Sequence, residues 1–211
     1  MFYQDDPKKC TAAKLIKFGL AKKITKPQSK TVLLHPYSKK TLLNHEKSLF
    51  TSITGVDCSW ALAEQVFQKD FVGVSRKLPP LLAGNPVNYS KINKLTTVEA
   101  IAGAAFILGD ETLSQNLLEK FNWGHTFLEL NENLLQDYKK AKYEEEYLNS
   151  IIKNDDPLIN FLVFGSHPVT ITSSTTLVIS ILGLNSIKSS SHFNFVDFIL
   201  CSCLAGSNIN V

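Results

Sequence analysis

Apolar positions in this chain fall into short blocks, and the spacing within the blocks alternates between helical and extended periods. Ala12 to Phe18 reads as a short amphipathic helix. Thr11 is its N-cap and Gly19 its stop; Leu15, Ile16 and Phe18 lie toward the buried side, with Lys14 and Lys17 on the polar side. Thr31-Val32-Leu33-Leu34 predicts a strand, stopped by His35-Pro36-Tyr37. Asn44 to Phe50 predicts a short helix, Gly55 to Cys58 a buried strand end, Ala61 to Gln68 a helix and Phe71 to Val74 a short extended link. Thr97 to Leu108 is strongly apolar, and its small residues Ala100, Ala102, Gly103, Ala104 and Ala105 let such a helix approach its neighbours closely. Thr96 caps it, Glu99 completes a capping box, and Gly109 ends it. Helices over Glu111 to Lys120 and Asn131 to Tyr147 follow, with Trp123-Gly124 anchoring a turn between helices. Strands alternating with helices predict an α/β class.

The character changes after Asn154. Residues 157–211 carry Lys188 and Asp197 as their charged side chains and are rich in Ser, Thr, Ile, Val and Phe. Apolar, uncharged, β-prone sequence is an aggregation liability, so this tail is set apart from the core. Val178 to Leu184 is too short to span a bilayer, and no membrane association is expected. The division that follows is 1–54, a small lysine-rich N-terminal lobe; 55–154, a ligand-binding domain; and 155–211, the atypical tail.

A net charge of +3 over 211 residues is mild, and its distribution is more informative. The first forty residues hold ten lysines, from Lys8 to Lys40, against Asp5 and Asp6. Clustered lysine favours a phosphate backbone through counterion release; a solvated lysine-rich face is the plainer alternative. Cys10, Cys58, Cys201 and Cys203 form no disulfide pattern, and charge follows Met1 to Gln4 directly, which fits a reducing compartment without a signal peptide. The five histidines do not pair with cysteines at ligand spacing, so no metal site is expected. Without a G-x-G-x-x-G, a Rossmann cofactor site has no support either.

The stretch from Arg76 to Ala100 carries the chemistry. It holds one acidic residue, Glu99, and is broken by proline, and Asn85-Pro86-Val87-Asn88-Tyr89 provides fixed direction, amide groups and a flat aromatic face. A rigid loop is thereby delivered to a helix N-terminus, where unpaired N–H groups favour anions. With Val56-Asp57-Cys58-Ser59-Trp60 upstream and Phe121-Asn122-Trp123-Gly124 downstream, this block closely resembles the Tsr3 family over roughly Asp5 to Tyr147. Those enzymes are small-subunit rRNA aminocarboxypropyltransferases that use S-adenosylmethionine to modify a pseudouridine.

The resemblance implies a SPOUT-like α/β sheet flanked by helices, with a trefoil knot, binding the cofactor in a bent pose. It implies transfer of the 3-amino-3-carboxypropyl group to N3 of a (N1-methyl)pseudouridine, on small-subunit rRNA or a pre-40S-type particle, in the cytoplasm, with a nuclear stage in a eukaryote. By position, Thr11 falls at the amino-acid end of the cofactor, and Leu34, Pro36 and Trp60 at the walls of the adenine pocket. Val56 offers backbone groups to the ribose, Leu78 offers backbone contacts near the capped helix, and Thr97 is a family contact position. Asp57 lies near the sulfonium or the incoming base, either as an electrostatic partner or as acceptor of the N3 proton. Asn93 stands where the family has an aromatic residue, which alters one cofactor contact unless its backbone alone is used; Ile92 where it has proline and Ser90 where it has glycine imply a loosened loop. The family also has a strand ahead of Asp6-Pro7, where Met1 to Gln4 stand here. Taken singly, Trp60 reads as core, Asp57 as a cap, Thr11 and Thr97 as N-caps, and Leu34, Pro36 and Leu78 as packing residues; the joint pattern favours the site. Methyl transfer on the same fold, or a non-catalytic ribosome-assembly factor, are the alternatives.

Overall fold

A computed structural model describes residues 10–59, 62–153 and 207–210. Three short strands run parallel at its centre: β2 (Thr31–Leu34), β3 (Ser52–Asp57) and β4 (Val74–Arg76). β2 lies between the other two, with Leu34 opposite Gly55 on one side and Arg76 on the other. All four β2 residues are buried, as expected of an apolar run at the centre of a parallel sheet. Two antiparallel strands, β1 (Lys22–Ile24) and β5 (Ser207–Asn210), extend the sheet to the order β1-β5-β3-β2-β4. Of the tail set apart in the sequence, the described residues are 207–210, which form β5 and pair with β3 and β1; the rest of that tail, like the residues before Cys10, lies outside the described residues.

The helices are α1 (Thr11–Lys17), α2 (Ala63–Phe67), α3 (Thr97–Ile107), α4 (Glu111–Leu118), α5 (Gly124–Lys140) and α6 (Glu144–Lys153), with a 3₁₀ helix at Asn44–Leu49; α3 packs on β3 of the sheet, α1, α4 and α5 pack on α3, and α6 packs on α5. All eleven residues of α3 are buried. Gly55 of β3 meets Ile101 and Thr97 of α3, and Gly103 lies against Leu81, so small residues let this helix touch both sheet and loop. Truncating Ile101 there to alanine costs about 2–5 kcal/mol. Below the sheet, Arg76 Nε donates to both Glu46 oxygens, at 2.9 and 3.0 Å, and ties β4 to the 3₁₀ helix.

Several expectations are corrected. The expected helix from Asn131 to Tyr147 is two helices, α5 and α6, broken at Ala141 to Tyr143, and α5 begins seven residues earlier at Gly124. Gly124 is there for space, since a Cβ would stand 2.0 Å from the Leu118 carbonyl oxygen. The cap of α1 is Cys10, whose Sγ accepts from Ala13 N at 3.2 Å; Thr11 is the first helical residue. The extended segment before the central loop falls at Val74–Arg76, slightly later than its apolar residues suggested. Phe18 is 48% exposed despite its hydrophobicity.

Candidate active site

The parallel strands end on one side of the sheet, where open α/β folds bind ligands. Leu34, Val56 and Leu78 stand at or just past the carboxyl ends of β2, β3 and β4, and all three are buried, as is Pro36. The centre of the arrangement is Asp57, 1% exposed at the end of β3. Its Oδ1 accepts from Thr97 Oγ1 at 2.8 Å, and its Oδ2 from Cys10 Sγ at 3.5 Å. One carboxylate thus joins the last residue of β3, the first residue of α3 and the cap of α1. Capping is delegated to Thr96 and Cys10, which leaves the hydroxyls of Thr97 and Thr11 for other work.

Thr11 Oγ1 is buried and has no hydrogen-bond partner among the described residues. A buried hydroxyl without a partner costs free energy that a polar ligand can recover. Its neighbour in sequence, Cys10, contacts the Asp57 carboxylate, a group suited to a cation, and the buried apolar residues at the strand ends suit a ring. This donor set fits S-adenosylmethionine, which combines an amino-acid end, a sulfonium and an adenine. Among the described residues no cluster of His, Cys, Asp and Glu could hold a metal ion. Trp60 lies outside the described residues.

The loop that follows β4 is rigid because buried side chains replace the strand partners it lacks. Tyr138 Oη donates to Pro80 O at 2.9 Å. Asn93 N donates to Leu81 O at 2.7 Å, and Leu81 N donates to Asn93 Oδ1 at 3.0 Å. Asn131 does the same for Leu82, accepting from its N at 2.7 Å and donating to its O at 2.8 Å. Glu99 then gathers the rest. Its Oε1 accepts from Gly84 N and Asn85 N, at 2.7 and 2.9 Å; its Oε2 accepts from Asn85 Nδ2, Thr96 N and Thr96 Oγ1, at 2.9, 2.6 and 2.7 Å. Burial raises the Glu99 pKa above the ordinary carboxylate value, while these hydrogen bonds pull it down.

The loosened loop inferred from Ser90 and Ile92 is therefore corrected: the loop is clamped. Ser90 and Asn93 both take φ of +60°, a left-handed conformation that asparagine tolerates and that glycine adopts without strain. The Asn93 side chain serves Leu81, and among the described residues its buried Nδ2 has no partner. Nothing among these contacts joins Asn93 to Asp57. Sequence reasoning missed Cys10 and Asn131. Asn131 has a readable signal, because it interrupts the buried stripe Phe127, Leu134, Leu135 and Tyr138 of α5.

Residues 32–153 match the family model described as "Ribosome biogenesis protein, C-terminal". Residues 2–29 match one described as a possible Fer4-like domain in RNase L inhibitor; that stretch holds the single cysteine Cys10, and a four-iron cluster needs four thiolates. The 16S rRNA aminocarboxypropyltransferase of Methanococcoides burtonii is 43% identical over 150 residues, covering 69% of this chain and 86% of that protein. Its counterpart from Sulfurisphaera tokodaii is 42% identical over 149 residues, covering 70% and 87%. The solved structure of the SAM-dependent rRNA:acp-transferase Tsr3 from Vulcanisaeta distributa superposes with a TM-score of 0.65 at 28% identity, covering 87% of this chain and 95% of that one. The chain belongs to this family, the Tsr3 family of ribosome biogenesis proteins.

Proposed function

We propose that this chain transfers the 3-amino-3-carboxypropyl group of S-adenosylmethionine to N3 of a (N1-methyl)pseudouridine in small-subunit rRNA. The observation that carries the reading is the buried Asp57 carboxylate, fixed by Thr97 and by Cys10, the residue before Thr11, whose buried hydroxyl has no partner among the described residues. It occurs in a chain 43% identical to a 16S rRNA aminocarboxypropyltransferase.

When bound, S-adenosylmethionine supplies a sulfonium that activates the carbons attached to it. Thr11 holds the amino-acid end through its hydroxyl. Leu34 and Pro36, with Trp60 by its place in the sequence, enclose the adenine, the Val56 backbone meets the ribose, and the Leu78 backbone adds contacts near the capped helix. Asn93 offers its Nδ2, which has no partner among the described residues, as a further cofactor contact. Asp57 stabilises positive charge in a desolvated setting and is placed to accept the N3 proton. Catalysis is then mostly a matter of which carbon faces the nucleophile, so rigid positioning supplies most of the rate. A SPOUT-like, knotted chain path accounts for a site built from three strand ends, and the lysine-rich N-terminal lobe holds the rRNA within a pre-40S-type particle. The protein works in the cytoplasm, with a nuclear stage in a eukaryote.

Isotope labelling tests the reading. Label from the carboxyl carbon of S-adenosylmethionine is expected in the RNA; label arriving from the methyl carbon instead establishes methyl transfer.

A further inference from the structure

The central loop ends in a tip that the site described above does not use. From Gly84 to Lys91 the chain makes a closed excursion. Ser90 N donates to Ala83 O at 2.7 Å and Ala83 N to Lys91 O at 3.0 Å, which seals its base. Asn85 is 2% exposed; its Oδ1 accepts from Asn88 N at 2.9 Å, and its Nδ2 is held by Glu99. Above this anchor Val87 is 81% exposed and Tyr89 56% exposed. A lone exposed apolar residue is ordinary. Two on a loop clamped from beneath by a buried carboxylate are not, because nothing in their own packing requires that rigidity.

We propose that this tip is an RNA-reading element, with Tyr89 stacking on an unpaired base and Lys91 beside the phosphate backbone. The inference rests on the RNA-modifying reading above and extends it to substrate recognition. Charge favours RNA over a protein partner. From Arg76 to Val98 no acidic residue occurs, and Glu99, the first, is fully buried. Lys91 is exposed, and its Nζ contact to Asn88 Oδ1, at 3.5 Å, is long enough to exchange for a phosphate oxygen. Unstacked bases in loops are what proteins read in RNA, and aromatic faces are what they read them with. The placement serves catalysis as well. Thr97 fixes Asp57, and Thr96 and Glu99 fix the loop, so one helical turn carries both the reacting centre and the tip.

Fluorescence anisotropy with a labelled stem–loop cut from small-subunit rRNA, and with a fully paired RNA of the same composition, tests the proposal. Tyr89→Ala is expected to weaken stem–loop binding roughly fivefold to a hundredfold. Duplex binding and S-adenosylmethionine affinity should stay unchanged, and Tyr89→Trp should restore the loss. Lys91→Ala is expected to weaken both RNAs alike and to reduce the salt slope by about one. Wild-type affinity in Tyr89→Ala, equal losses on stem–loop and duplex, or a parallel loss of cofactor binding would each overturn the proposal. Wild-type protein that binds the stem–loop through Tyr89 yet transfers nothing supports the tip and refutes the enzyme reading. Protein that transfers normally with alanine at this position does the reverse.

Discussion

Thr97 Oγ1 donates to Asp57 Oδ1 across 2.8 Å, joining the first residue of α3 to the last residue of β3. Both residues are buried, so the bond orients the carboxylate where water cannot compensate for its loss. Thr97→Val keeps the shape and removes the donor. It is expected to lower stability by about 1–3 kcal/mol in urea denaturation and to weaken S-adenosylmethionine binding in calorimetry. Thr97→Ser should retain most of both.

Glu99 accepts five hydrogen bonds, and glutamine in its place presents an amide nitrogen to donors. Glu99→Gln is expected to cost about 2–4 kcal/mol. The pH dependence has a defined sign. Burial raises the native pKa of Glu99, so its contribution is fully present below the unfolded carboxylate value and is lost as pH rises through the raised native value. The deficit of Glu99→Gln relative to wild type should therefore be largest in acid and shrink toward neutrality, as read from urea midpoints across that range.

Gly84 marks where the loop meets α5. A Cβ there would lie 2.5 Å from Phe127 N and 2.7 Å from its Cα, both backbone atoms that cannot move aside. Gly84→Ala is expected to destabilise the protein by about 1–3 kcal/mol and lower its melting temperature. Gly19→Ala, at a site with open space around it and φ of +71°, tests the separate cost of backbone conformation.

His35 sits between two expected pocket residues, Leu34 and Pro36. Tyr37 N donates to its Nδ1 at 3.2 Å, so the ring proton belongs on Nε2, 3.2 Å from Phe67 O. Burial lowers its pKa. Stability from this group is present above the unfolded histidine value of about 6.5 and is lost as pH falls through the lowered native value. Protonation at Nδ1 would break the bond to Tyr37 N. Cofactor affinity is expected to drop over the same acidic range in calorimetry, and His35→Gln should abolish that drop.

Local chemistry made α3 and β2 legible: a capping box with an apolar run, and four buried residues before His-Pro. The 3₁₀ helix at Asn44–Leu49 and the end of β3 fell close to where their residues pointed. β1 was not readable, because two of its three residues are exposed lysines and its pairing is with the far end of the chain. The start of α5 was hidden because Trp123-Gly124 looks like a stop, while the glycine answers to the distant Leu118 carbonyl. Asp57 and Thr97 were each named from resemblance, but their pairing was not, because it joins residues forty positions apart in sequence. Cys10 caps a helix locally, through Ala13 N, but cysteine is not among the usual capping residues; Asn131 shows as a polar break in the stripe of α5, while its partner Leu82 lies far away in sequence.

The most direct test of the account is transfer from S-adenosylmethionine labelled either at the carboxyl carbon or at the methyl carbon, to small-subunit rRNA lacking the modification. The account predicts that carboxyl label enters the RNA with wild-type protein and falls sharply with Asp57→Asn, while the methyl label never enters. Methyl label in the RNA, or undiminished carboxyl transfer by Asp57→Asn, would contradict it.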